Sequence, residues 1–172
     1  MVIFHTSDLH IGKLVNGFSM LEDQRHIFAQ MLEHVHAQHP DAFIIAGDVY
    51  DRQVPGADAV TLLDDFLTQL SRIGTPVFII SGNHDSAERL SFASGIMQAG
   101  NIYIEGGFCG EVRQHTLHDE YGEVVFHLLP FFRPSTVRRY MDAEGYSDAF
   151  SNIITGNNID QSKRNILVAH QF

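Results

Sequence analysis

Cysteine is almost absent from this sequence. The single Cys109 excludes an intramolecular disulfide framework and a cysteine-based zinc knuckle, and it fits a reducing compartment. Tryptophan is missing altogether, and the 13 phenylalanines read as core residues. Long apolar runs are missing too. None approaches the length of a membrane span, which excludes a transmembrane helix. The segment Met1-Val2-Ile3-Phe4-His5 carries neither a basic stretch nor a signal-peptide core, so the expected location is cytoplasmic, with no membrane partner. Basic residues are scarce: Lys and Arg number 11 against 21 Asp and Glu, a formal net charge of -10. That balance argues against a highly basic nucleic-acid binder. It leaves room for a local basic patch, or for bound divalent cations that reverse the potential at one site.

What is present is an ordinary globular composition, 44% hydrophobic and 19% charged over 172 residues, one domain's worth of chain. Histidine is abundant, at 11. The pattern alternates from the start. A β-rich run over 2–6 is followed by a helical period over 21–37, with Ile27, Met31 and Val35 four apart. Ala42-Phe43-Ile44-Ile45-Ala46 has the length and composition of a fully buried strand within 41–46. Helical spacing returns through Val60, Leu63, Leu67 and Leu70 over 57–73, ended by Gly74. A third buried strand covers 76–81, and Ser86 is placed to cap a helix over 86–97. Strand, helix, strand, helix, strand with short connections predicts a parallel sheet covered by helices. Shorter strands are predicted over 101–105, 111–117 and 123–129, with Asp119-Glu120-Tyr121-Gly122 as a hairpin turn. Helices are predicted over 134–140 and 147–155, and a last strand over 164–169 ends at His170. There is no internal repeat and no linker, so the expectation is one α/β domain.

Polar residues collect just beyond the strand ends. Ser7-Asp8-Leu9-His10 follows the first strand, and Gly47-Asp48-Val49-Tyr50-Asp51 the second. Gly82-Asn83-His84-Asp85 follows the third, and His170-Gln171 the last. Sites in open parallel sheets form outside the carboxyl ends of the strands. Each motif alone reads as a turn built from ordinary turn residues. Four together at one sheet edge read as a metal site. Carboxylates, imidazoles and one asparagine oxygen, without thiolates, suit Mn, Fe or Zn. Gly47 lets the backbone turn sharply before Asp48, and a central Asp can bridge two cations. His84 is adjacent to Asp85, which could hold its ring. The other histidines have plainer readings. His26, His34, His36 and His39 belong to a solvated helix face. His115, His118 and His127 read as surface or edge-strand residues. His5 sits just before the site, and Cys109 reads as a packing residue.

The motifs Asp-x-His, Gly-Asp-x-x-Asp and Gly-Asn-His-Asp, with a strand-terminal His, resemble the calcineurin-like metallophosphoesterase superfamily. The fuller wording is closest to its SbcD-type bacterial nuclease branch. It includes His5-Thr6-Ser7-Asp8-Leu9-His10-Ile11-Gly12-Lys13, Leu21-Glu22-Asp23-Gln24 and Ala46-Gly47-Asp48-Val49-Tyr50-Asp51-Arg52 with Pro55. It continues with Ser81-Gly82-Asn83-His84-Asp85-Ser86, Glu88-Arg89-Leu90 and Leu129-Pro130-Phe131-Phe132-Arg133-Pro134. The resemblance covers essentially the whole chain. It implies an α/β fold of the four-layer αββα type, a β-sandwich flanked by helices. It also implies a site for two divalent metal ions, Mn2+ foremost, with Mg2+, Fe2+ and Zn2+ as alternatives. Carried over by position, Asp8 and His10 would bind one metal, Asp48 would bridge, and Asn83 and His170 would bind the other. His84 would stabilise the transition state or protonate the leaving oxygen, with Asp85 orienting it. A hydroxide activated by the two metals would hydrolyse a phosphodiester. The implied partners are DNA, whose ends and hairpins the branch processes, an SbcC-type SMC-like ATPase, and a second copy of the chain.

The branch carries a further Gly-His-x-His segment beyond the last strand, then capping and partner-docking regions. This sequence stops at Phe172, so it is expected to be the N-terminal part, residues 1–172, of a longer protein. Arg133, Arg138 and Arg139, with Lys163 and Arg164, are the candidate DNA-facing cations. Two other functions compete. A protein phosphatase or nucleotide phosphodiesterase would share Gly47 to Arg52, but Ile11 stands after His10 where those phosphatases place a glycine. A catalytically incomplete binding or dimerisation module is the third reading.

Overall fold

The structure, a computed structural model, describes residues 1–171. Strand β1 (Ile3–Thr6) leads into a short hairpin, β2 (Leu14–Val15) and β3 (Phe18–Ser19). Then come α1 (Leu21–Gln38), β4 (Ala42–Ala46), α2 (Ala57–Ile73) and β5 (Val77–Ile80). Two single-turn helices, α3 (Ala87–Leu90) and α4 (Ser94–Met97), and a 3₁₀ turn at Gln98–Gly100 precede β6 (Ile102–Glu105). The remainder is β7 (Arg113–Asp119), β8 (Gly122–Leu129), α5 (Pro134–Val137), α6 (Tyr146–Gly156) and β9 (Arg164–Ala169).

The first sheet is parallel, in the order β1-β4-β5-β6, and the second runs β7-β8-β9. Within the second sheet β7 and β8 are antiparallel while β8 and β9 are parallel. Alternation along the buried strands sorts the core into two layers. Phe43, Ile45, Val77 and Ile79 face Phe28, Val35, Phe66 and Leu70 of the long helices. Ala42, Ile44, Phe78 and Ile80 face Phe126, Leu128 and Val168 of the second sheet. Beyond that sheet Leu129 and Ala169 pack with Ala149 and Ile153 of α6. The layers are therefore helix, sheet, sheet, helix, as the resemblance implies. Because β4 and β9 both end at the same edge, the two sheets together build one rim.

Several sequence expectations are corrected. The helix over 86–97 is broken, because Ala93 takes a left-handed φ of 60° between α3 and α4. Phe92 and Ile96 are left 78% and 79% exposed. The cap is as read: Ser86 Oγ accepts from the Arg89 backbone N–H at 3.4 Å. The helix over 134–140 is the single turn α5. The hairpin β2–β3 has no counterpart in the sequence reading, although Asn16-Gly17, with φ of 50° and 85°, is the two-residue turn such hairpins favour.

His127 is no surface residue. It lies on the central strand β8, 1% exposed. Its Nε2 is 2.8 Å from Asn165 Oδ1 and its Nδ1 is 3.4 Å from Asn157 Nδ2, so the buried ring is satisfied at both nitrogens. His115 is half-buried against Tyr103 and Phe78. Burial and then the Arg113 charge hold its pKa below the ordinary histidine value. His118 stays on the surface beside Glu123, and His26, His34, His36 and His39 are exposed as read. Cys109 is exposed, not packed.

Candidate metal centre

Asp48 is the hub of the rim. It is 3% exposed, and two groups of ligand atoms surround it. One comprises His10, Asp48 and His84, the other Asp8, Asp48 and His170, with ligand atoms in each group within 4.8 Å of one another. Asp48 Oδ2 lies 3.6 Å from His10 Nε2 and 3.6 Å from His170 Nε2. Those separations are too long for hydrogen bonds. Asp8 Oδ1 is 3.9 Å from His10 Nε2, which joins the two groups into one basin. Asn83 Oδ1 is 3.3 Å from His170 Nε2. The grouping differs in detail from the one implied by resemblance, since His84 takes the place beside His10. The shared Asp48 is the same.

Backbone geometry aims these side chains. Asp8, His10 and Asp48 have φ of 55°, 43° and 49°, and Gly47 has 87°. Left-handed non-glycine residues cost about 1–3 kcal/mol each, so three in one rim mark a site held against local preference. Hydrogen bonds between the loops hold it: Asp8 N–H to Gly47 O at 3.1 Å, His10 N–H to Asp48 O at 2.9 Å and Ile11 N–H to Val49 O at 2.9 Å. Two glycines leave room for the ligands. A Cβ on Gly47 would fall on the His170 ring, and one on Gly82 would fall on the carboxylate and backbone nitrogen of Asp48.

The chemistry of the donors fits a cation. His170 Nδ1 is 2.8 Å from the Ala46 carbonyl oxygen. A carbonyl only accepts, so Nδ1 carries a proton, and Nε2 on the far side of the ring faces Asp48 Oδ2 and Asn83 Oδ1. An imidazole nitrogen, a carboxylate oxygen and an amide oxygen thus converge. A divalent cation satisfies such a set, and a second-sphere carbonyl on the far ring nitrogen is the usual way a metal-binding histidine is oriented. Asp8, His10, Asp48, Asn83 and His170 therefore fit the mixed oxygen–imidazole set expected.

His84 is exposed, with its ring edge-on to His10 at 4.8 Å between centroids. Its Nδ1 lies 3.0 Å from the Asp51 carbonyl oxygen, and its backbone N–H donates to Asp48 Oδ1 at 2.9 Å. The expectation that Asp85 orients this ring is corrected. Both oxygens of Asp85 are taken by backbone N–H groups: Gly82 at 2.8 Å, Val49 at 3.0 Å and Tyr50 at 2.8 Å. Asp85 ties the third loop to the second. Burial raises its pKa, partly offset by those N–H groups, with a smaller rise from Asp48. Tyr50 beside it is pushed up to about 12 by burial and by the Asp85 charge, and stays neutral.

The proposed cations separate. Lys163 precedes β9 and Arg164 begins it, while His170 follows it, so both cations lie about 20 Å from the rim at roughly 3.3 Å per residue. They are also paired, Lys163 with Glu123 at 2.5 Å and Arg164 with Asp119 at 2.6 Å. Arg138 donates to the Ala143 carbonyl at 3.0 Å and holds the chain after α5. Arg133 and Arg139 are exposed, and Arg133 follows the rim end of β8. His5 is exposed on β1, outside the ligand groups. Sequence reasoning missed Gln24 and gave Asp51 no role. Gln24 lies within Leu21-Glu22-Asp23-Gln24 and Asp51 within Gly-Asp-x-x-Asp, but only the fold shows their contacts.

The calcineurin-like phosphoesterase family model matches residues 1–171. The chain belongs to that family. It is also 35% identical over 178 residues to the SbcD component of the SbcCD nuclease of Staphylococcus epidermidis, and 34% identical over 176 residues to that of Staphylococcus saprophyticus. Each alignment covers 99% of this chain and 46% of the relative, so the chain spans just under half the length of these relatives. No helix among the described residues is long and apolar enough to cross a membrane.

Proposed function

We propose that this chain is the metal-binding half of an SbcD-type DNA nuclease that hydrolyses phosphodiesters while processing DNA ends and hairpins. The observation that carries the reading is the convergence of Asp8, His10, Asn83 and His170 from three strand ends around the buried Asp48 at a fourth. The identity to the SbcD components of two SbcCD nucleases supports the substrate and an SbcC-type ATPase partner. Bound at Asp48, two divalent cations, Mn2+ foremost, would activate a water and neutralise the phosphate during in-line displacement. The rest falls to the chain's own side chains. Asp48 and Asp8 supply negative charge that holds the cations. His170, fixed by the Ala46 carbonyl, and Asn83 present an imidazole nitrogen and an amide oxygen. His84, held at Nδ1 by the Asp51 carbonyl and exposed at the rim, would donate a proton to the departing oxygen. Among the candidate cations Arg133, Arg138, Arg139, Lys163 and Arg164, Arg133 is the exposed one that follows the rim end of β8, and it would meet a phosphate there. On this reading the ligand shells are completed by two histidines of a downstream Gly-His-x-His segment, the protein is cytoplasmic, and it forms a homodimer.

The test is Mn2+-dependent turnover of DNA, a phosphopeptide and a cyclic nucleotide by this chain and by a longer one carrying the downstream histidines, with metal content measured for both. Two metals and DNA cleavage in the longer chain support the reading. Preferential turnover of the phosphopeptide or cyclic nucleotide assigns another phosphoesterase activity. Absence of bound metal from both chains overturns the reading.

A further inference from the structure

The loop that carries Asp8 and His10 is improbable on local grounds. Three of its residues are left-handed, Asp8 at 55°, His10 at 43° and Gly12 at 88°. On one side it pairs with the Gly47–Val49 backbone. On the other, one side chain from the first turn of α1 meets it. The Gln24 amide nitrogen donates to the Leu9 carbonyl at 2.9 Å and to the His10 carbonyl at 2.8 Å, and its Oε1 accepts from the Gly12 N–H at 3.0 Å. These contacts fix the amide's orientation, because two carbonyls must face the NH2 and an N–H must face the oxygen. Two donors and one acceptor are what a carboxamide offers. Glutamate offers only acceptors when ionised, methionine offers neither function, and asparagine is one methylene shorter.

We propose that Gln24 is a positioning residue for the metal centre, clamping the Asp8–His10 loop from behind so that both side chains are aimed before a cation arrives. The inference rests on the metal-centre reading of the rim. The physical need is specific. The Asp8 and Asp48 carboxylates face one basin and repel each other without a cation, and two strained residues carry the ligands. A loop under that load relaxes unless its carbonyls are held, and preorganisation of this kind sets metal affinity.

The experiment compares wild type, Gln24→Met and Gln24→Glu in the full-length protein. Mn2+ affinity is measured by calorimetry, amide hydrogen exchange and thermal unfolding on the metal-free protein. Gln24→Glu is the sharper probe, since its added negative charge near the basin would by itself tighten cation binding, whereas a lost clamp weakens it. The expected result is Mn2+ affinity lowered on the order of tenfold or more in both variants, the range that outer-sphere partners command. Gly12 exchange is faster in Gln24→Met, which lacks the acceptor, while the β4 and β5 amides stay protected. Unchanged affinity in the variants, or a lowered unfolding temperature with affinity intact, overturns the proposal. If wild type binds no Mn2+, the metal reading has failed, and Gly12 exchange in Gln24→Met still decides whether Gln24 holds the loop: unchanged exchange overturns the clamp, and faster exchange supports it.

Discussion

His170 Nδ1, at the end of the last strand of the second sheet, lies 2.8 Å from the Ala46 carbonyl oxygen at the end of β4 in the first. This contact joins the sheets at the rim and turns the other ring nitrogen toward Asp48. Gly47 makes the approach physically possible, since a Cβ there would occupy the ring's place. Gly47→Ala is expected to displace His170 and to strain a φ of 87°, costing about 1–3 kcal/mol by overpacking. Urea unfolding measures the loss, and Mn2+ titration is expected to show weakened binding. A variant with wild-type stability and affinity would refute this placement of His170.

Asp48 and His84 touch each other but are expected to fail differently. Asp48→Ala removes the carboxylate common to both ligand groups, so bound metal and activity disappear together. His84→Ala keeps metal and loses about 10²- to 10⁴-fold in turnover, the span of a positioned acid or base. Metal analysis beside steady-state kinetics separates the two, and equal metal loss in both variants would reassign His84 as a ligand.

Asp85 acts on stability. Its carboxylate is the partner of three backbone N–H groups in a buried setting, and removing it orphans them. At about 1–3 kcal/mol for an unsatisfied buried group, Asp85→Ala is expected to lose roughly 3 kcal/mol or more and to loosen the rim. A loss under about 1 kcal/mol in chemical unfolding would be too small for the clamp described.

Acid should open the opposite end of the sandwich. Hydrogen bonds from Arg164, and then from the N-terminal ammonium, hold the Asp119 carboxyl well below the usual carboxylate range. A depressed folded-state pKa adds stability above the unfolded value and loses it as pH falls toward the folded one. The gap in unfolding temperature between wild type and Asp119→Asn is therefore expected to be full near pH 6 and to shrink below about pH 4. A gap constant with pH would show that the ion pair carries none of the acid dependence.

Much of this was legible in one dimension. Buried runs such as Ala42–Ala46 and Val77–Ile80 declare themselves because a strand covered on both faces must be apolar throughout. The motifs at their ends declare themselves because Asp, Asn and His together at strand termini exceed what turns need. The capping signal at Ser86 started a helix, but over 86–97 a left-handed Ala93 breaks it. Alternation misled at His127, whose outer face is closed by the chain around α6.

By itself, then, the sequence determined the α/β class and the sheet edge at which Asp, His and Asn side chains gather. Those follow from hydrophobic pattern and residue chemistry, which are local. Tertiary structure alone decided that Asp85 ties loops instead of orienting His84, that Gln24 grips the Asp8–His10 loop, and that Lys163 and Arg164 lie far from the rim. Partners distant in sequence are chosen by how the sheets stack and how the loops cross, and neither is written in the spacing of any one segment.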